Sequence, residues 1–152
     1  MKNLLKMIFG GDENEENVSK QDNEKQLQIA TCALFLELAY ADDEFAPEEK
    51  NLIIDVMKKS FKLSDEEVNE LIKLAEEQIN KSVSIYEFTN IINEKFSYDQ
   101  KYTIVENLWK LIFVDKNFHA YEDYFIRKIV NNLHLSHKDM IAAKLKVRHE
   151  LR

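Results

Sequence analysis

The chain has 152 residues, of which 45% are hydrophobic and 32% are charged, and this composition favours one packed globular domain over a disordered or fibrous chain. Only two glycines and one proline are present, too few for the turns of a sheet or barrel, so the chain is predicted to be all-α. The 21 basic and 28 acidic side chains give a net charge of −7. This excess argues against nucleic-acid binding through a broad cationic face and favours cations or basic partners.

The N-terminal part of the chain differs in character from the rest. Residues 1–9 are basic and then apolar, and we interpret them either as a frayed tail or as a short amphipathic segment that contacts a membrane surface or a partner. Residues 10–25 contain both glycines and are acidic and aperiodic, which predicts a flexible linker. The helical domain is predicted to span residues 26–152. A cytoplasmic protein is expected, because no apolar stretch is long enough to cross a bilayer and no signal-peptide pattern is present.

Helical spacing of apolar residues, together with Ser-x-x-Glu and Ser-x-x-Gln capping boxes, predicts seven helices. Their predicted ranges are 22–41, 47–61, 65–81, 85–95, 98–114, 120–133 and 137–149. The boxes begin at Ser64, Ser84 and Ser97, and a weaker box begins at Ser136. Pro47 suits the first position of the second helix, because its φ is fixed and its missing N–H is not needed there. The predicted fold class is a compact all-α bundle.

The sequence also contains an internal repeat. Residues 41–49 align with residues 114–122, and after a one-residue deletion Leu63-Ser64 aligns with Leu135-Ser136. Each copy has a long apolar helix, a short turn with an aspartate, and a following helix whose glutamate stands in an Asp-x6-Glu spacing. Two such copies are predicted to pack about a pseudo-two-fold axis, an arrangement able to bring the two acidic turns together.

The repeated carboxylates Asp42, Glu49, Asp115 and Glu122 are the candidate metal ligands. An aspartate at the C-terminal end of a helix is disfavoured by the helix dipole and needs compensation. In one interpretation the carboxylates converge on a divalent cation, which prefers oxygen ligands. In the other they form structural clasps, in which the carboxylates accept N–H groups at the start of the next helix. An EF-hand is excluded, because Pro47 takes the place of its turn-forming glycine.

The repeated turns resemble the TerB-like tellurite-resistance domain family, and in particular its stand-alone, largely uncharacterised bacterial branch. The resemblance covers roughly residues 25–148, and its more specific half runs from Leu108-Trp109-Lys110-Leu111 to Lys144. It implies a helical fold with a repeated core, a divalent-metal site formed by the four carboxylates, and a role in a stress response. Relatives usually have glycine after each aspartate, whereas this chain has Asp43 and Lys116. If only one copy binds metal, the Asp42 and Glu49 copy is therefore favoured.

No catalytic motif stands out. The four histidines are scattered, glycine-rich phosphate loops are absent, and Cys32 lies in an apolar run typical of a buried core position. We therefore expect a non-catalytic TerB-like domain that binds a divalent cation through its acidic turns in a tellurite or chemical stress response. The alternative is a protein-interaction adaptor whose acidic turns are purely structural. An unidentified protein partner is expected, and a nucleic acid is not.

Overall fold

The computed structural model describes residues 16–41, 46–114 and 120–151, and within these ranges it contains seven α-helices and no strands. The helices are α1 (Glu16–Tyr40), α2 (Pro47–Phe61), α3 (Asp65–Asn80), α4 (Ile85–Lys95), α5 (Tyr98–Val114), α6 (Ala120–Asn132) and α7 (His137–Glu150). The predicted all-α class is confirmed. None of these helices is both long enough and apolar enough to cross a membrane. Residues 1–9, and the proposals made for them, lie outside the described residues.

Six helices agree closely with the predicted bounds, but the predicted start of α1 was wrong. The helix begins at Glu16 rather than near Asp22, so residues 16–25 belong to α1 and not to a linker. The physical reason is that no glycine or proline interrupts the chain between Gly11 and Pro47, while the acidic residues near Glu16 favour the positive end of the helix dipole. Within residues 16–25 the acidic, aperiodic composition therefore did not mark a linker, and the rest of the predicted linker, residues 10–15, lies outside the described residues.

Serine caps fix the starts of the later helices. Ser64, Ser97 and Ser136 each form a complete capping box with the residue three positions later in the chain. The serine hydroxyl accepts the backbone N–H of that residue, and the side chain of that residue accepts the serine N–H, with donor–acceptor distances of 2.8 to 3.3 Å. The box at Ser136, predicted to be the weaker one, is thus complete. At Ser84 the hydroxyl accepts the N–H of Glu87 at 3.3 Å, which is one of the two bonds of a box. Local side-chain bonds explain why these starts are readable from sequence.

The packing of the helices reproduces the internal repeat. Helices α1, α2 and α3 form the first copy, and α5, α6 and α7 form the second. In each copy the long first helix packs most extensively against the third helix and less against the second. The copies meet where α5 packs against α1 and α2, and α4 connects them by packing against both α1 and α6.

Burial follows the same repeat. Helix α2 buries Glu49, Ile53, Val56 and Met57, and α6 buries their aligned counterparts Glu122, Ile126, Ile129 and Val130. Helix α3 buries Val68, Leu71 and Ala75, and α7 buries the residues aligned with them after the deletion, Met140, Ala143 and Val147. Equivalent helices of the two copies therefore turn equivalent faces inward.

The second helix of each copy ends on a residue in the left-handed conformation. Lys62 has φ 56° and His134 has φ 62°. The N–H of the next residue, Leu63 or Leu135, donates to the carbonyl oxygen of Lys58 or Val130 at 3.2 and 3.0 Å, which is a Schellman-type helix end. Such positions favour glycine, because a Cβ crowds the backbone there. Neither copy has a glycine at this position.

We expect His134→Gly to stabilise the protein by about 0.5–1 kcal/mol, because relief of left-handed strain exceeds the added entropy of the unfolded chain. Lys128→Gly, at an exposed position inside the preceding helix α6, is the matched control and should destabilise by about 1 kcal/mol. Urea unfolding measures both changes. A loss of stability in His134→Gly would contradict the assigned helix end.

Candidate functional site

The structure describes two of the four predicted ligands. Asp42 and Asp115 lie outside the described residues, whereas Glu49 and Glu122 occupy the third positions of α2 and α6. Their exposed fractions are 4% and 5%. Glutamate is almost never buried to this extent unless it is hydrogen-bonded, paired or bound to a metal. The repeat therefore places a buried carboxylate directly after each acidic turn.

Glu49 has one visible structural role. Its Oε1 atom accepts the N–H of Ala46, at the N-cap of α2, at 3.1 Å. This is one half of a capping box, since Ala46 has no hydroxyl with which to return the bond. Pro47 follows at the first position of the helix, as its fixed φ predicts. The Glu49 carboxylate thus caps α2, which is the part that the clasp interpretation assigns to it.

Glu37 is a carboxylate that the sequence interpretation missed. It lies in the last turn of α1 and is half-buried, and this burial raises the pKa of its carboxyl group. Burial is also the larger cause of the raised pKa of the Tyr121 phenol, and the negative charge of Glu37 is the smaller one. A sequence signal was available, because Glu37 is the only charged residue between Leu27 and Ala41.

The interaction between Glu37 and Tyr121 shows how the copies are arranged. Helix α1 precedes the first acidic turn, and α6 follows the second. Because Glu37 acts electrostatically on Tyr121, the last turn of α1 lies within electrostatic range of the start of α6.

The described residues alone do not form a metal site. Within 16–41, 46–114 and 120–151, no three Asp, Glu, His or Cys side chains are grouped closely enough to hold an ion. A metal site at Glu49 or Glu122 therefore needs ligands beyond the described side chains. The predicted ligands Asp42 and Asp115 lie outside the described residues, and a set of carboxylate oxygens suits a hard cation such as Mg²⁺ or Ca²⁺.

Comparison with known proteins identifies both a family and a fold. The family model described as tellurite resistance protein TerB matches residues 28–145. The crystal structure of a protein of unknown function from Porphyromonas gingivalis W83 is similar with a TM-score of 0.60, over 82% of this chain and 95% of that chain. Its sequence identity is 15%, so this likeness concerns the fold alone. No curated protein matches the sequence.

We expect Glu37→Gln to stabilise the protein at pH 7 and to have no effect at acidic pH. Since the folded state raises the pKa of Glu37, the folded protein holds this proton more tightly than the unfolded chain does. The wild-type protein therefore loses stability as the pH rises from the pKa of Glu37 in the unfolded chain through its higher pKa in the folded protein. Glutamine carries no charge at any of these pH values, so the variant does not lose this stability. Urea unfolding at pH 7 and at pH values below the ordinary glutamate pKa measures the difference. Glu77→Gln, at an exposed position of α3, should show no such pH-dependent gain.

Proposed function

Because the chain belongs to the TerB family, whose model matches residues 28–145, we propose that it is a non-catalytic cytoplasmic domain that binds a divalent metal cation in a tellurite or chemical stress response. The observation that supports metal binding is the burial of Glu49 and Glu122 at equivalent positions, one after each acidic turn. A cation beside these carboxylates offsets both their desolvation and the unfavourable helix dipole at the preceding aspartates.

The proposed ligands are Glu49 with Asp42 in the first copy and Glu122 with Asp115 in the second. The first copy is the stronger site, because Asp42, Asp43 and Glu44 follow one another there. In the second copy Lys116 follows Asp115, and an ammonium group there competes with a cation. A bound ion links the end of a long helix to the start of the next helix, so metal binding is expected to stabilise the whole copy.

We expect Mg²⁺, Ca²⁺, Mn²⁺ or Zn²⁺ to bind saturably and to raise the melting temperature. An ion at a hundred times its Kd adds about 2.7 kcal/mol, and at this chain length about 1 kcal/mol shifts the melting temperature by roughly 2–4 °C. Asp42→Asn combined with Glu49→Gln should abolish both binding and the shift. Calorimetric titration and thermal unfolding measure them.

A charge-matched control separates site binding from general electrostatics. Glu66→Gln combined with Glu70→Gln removes two exposed carboxylates of α3 and should leave metal binding intact. Asp115→Asn combined with Glu122→Gln shows whether the second copy contributes, through the measured stoichiometry. Unchanged melting in all four metals would overturn the metal-binding function.

A second candidate function is an adaptor whose acidic turns are purely structural, and the bond between Glu49 and Ala46 favours it. In this function residues 1–9 contact a protein partner or, peripherally, a membrane surface. Its test is a pull-down with the intact chain and with residues 1–9 removed, in which only the intact chain should retain a specific partner.

In metal-free protein we expect Glu49→Ala to cost about 1 kcal/mol, because the Ala46 N–H loses its acceptor. Glu49→Gln keeps an amide oxygen at that position and should be much less destabilised. Urea unfolding in the presence of a chelator measures both variants. If added metal then stabilises the wild-type protein but not Glu49→Gln, the Glu49 carboxylate binds an ion as well as capping α2. If added metal stabilises neither protein, the role of Glu49 is the structural clasp.

A further inference from the structure

A cavity of about 590 Å³ lies between the two long helices α1 and α5, and the C-terminal ends of α2 and α4 also line it. Three pairs of lining residues are counterparts in the repeat alignment: Asn23 with Phe96, Leu27 with Gln100, and Thr31 with Ile104. The cavity therefore lies where the two copies meet. The acidic turns follow the C-terminal ends of the same two helices in the sequence, and none of the described residues that flank these turns lines this cavity.

The buried end of the cavity is apolar with two polar groups. Thr31 and Asn107 are 2% and 9% exposed and line it together with buried Leu27 and Phe35. The Thr31 hydroxyl donates to the Leu27 carbonyl oxygen at 2.8 Å, so its oxygen is left to accept. The Asn107 side chain makes no hydrogen bond to any residue that the structure describes.

The repeat provides an internal comparison for Asn107. Its counterpart in the first copy is Leu34, which is completely buried. Asn107, by contrast, is one of the residues that line the cavity, and its amide has both donor and acceptor groups. An amide beside apolar side chains such as Leu27 and Phe35 is typical of a group that orients a ligand.

The walls and the rim have different chemistry. The half-buried rings of Phe61 and Phe96 both line the cavity and lie nearly parallel, with centroids 6.2 Å apart and an interplanar angle of 17°, so this wall is aromatic and apolar. The exposed rim carries Lys62, Lys95 and Glu24, a local excess of positive charge on a protein whose net charge is −7. A ligand with a negative group at its exposed end complements this rim.

We propose that this cavity binds a small aromatic carboxylate, with its flat body against the phenylalanine wall, a hydrogen-bonding group at Asn107 and its carboxylate at Lys62 and Lys95. The volume lies within the roughly 300–1,000 Å³ of ordinary small-molecule sites. This site is independent of the proposed metal site, because the two share no residue.

Two rigid probes test the proposal: 2-naphthoate and 6-hydroxy-2-naphthoate, which differ only by a hydroxyl opposite the carboxylate. Fluorescence titration of the full chain should show saturable binding, with the hydroxylated probe about fivefold to tenfold tighter because of one additional hydrogen bond. Asn107→Leu, which copies the residue of the first repeat, should fold and should remove that preference.

Lys62→Gln combined with Lys95→Gln should weaken both naphthoates severalfold and leave neutral 2-naphthol unchanged. Lys73→Gln combined with Lys128→Gln, at exposed positions away from the cavity, is the charge-matched control. Asp42→Asn with Glu49→Gln should retain naphthoate binding, so a failure of the metal site and a failure of the cavity are distinguishable.

The proposal is overturned if neither naphthoate binds saturably, or if Asn107→Leu keeps the hydroxyl preference. It is also overturned if Lys62→Gln combined with Lys95→Gln binds the naphthoates as tightly as the control variant, Lys73→Gln combined with Lys128→Gln. Binding that occurs only after residues 1–9 are removed would assign the cavity to that segment instead.

Discussion

The enclosure of α1 is the constraint on which the rest of the fold depends. From Gln26 to Ala39 every residue except Glu37 is buried, so this part of the helix has no face left for solvent. A helix that is apolar all round must be covered on all sides. Helices α2, α3 and α4 supply part of that cover, and α5 of the second copy supplies the rest. One copy alone would leave α1 exposed, which explains why the domain has two.

Within this shared packing, the two copies differ in chemistry at equivalent contacts. In the first copy the Tyr40 hydroxyl donates to Glu76, joining α1 to α3. Their aligned counterparts in the second copy are Phe113 and Arg148, and the Arg148 guanidinium lies 5.9 Å from the centre of the Phe113 ring. A hydrogen bond and a cation–π contact thus join equivalent helices at the same place. The backbone arrangement is retained while the side-chain chemistry has diverged.

A similar substitution strengthens the second copy. Trp109 stands where the first copy has Leu36, and its indole N–H donates to the Met140 carbonyl oxygen at 3.1 Å. The Lys144 ammonium lies 5.1 Å from the centre of the same ring. Trp109 is therefore a completely buried core residue that joins α5 to α7. Its indole gives the core contact a hydrogen bond that a leucine lacks.

Local interactions explain which features the sequence predicted. Helix bounds follow from apolar spacing and from serine caps, which involve near neighbours in the chain, and the repeat was visible as an alignment. The start of α1 was missed because composition alone suggested a linker. The position of Glu37 near Tyr121 depends on tertiary packing, since the two lie in different copies and far apart in sequence. The cavity depends on how the copies meet, so Asn107 becomes informative only when it is compared with Leu34.

The junction of the two copies brings residues from equivalent positions of the repeat to one cavity. Thr31 and Ile104 are such a pair, one polar and one apolar, and both line the cavity. Asn107 also lines it, whereas its counterpart Leu34 belongs to the apolar core. The counterparts differ in chemistry while the core faces of both copies remain apolar and buried. A repeated fold can therefore carry an asymmetric cavity at the junction of its copies without loss of the core that each copy needs.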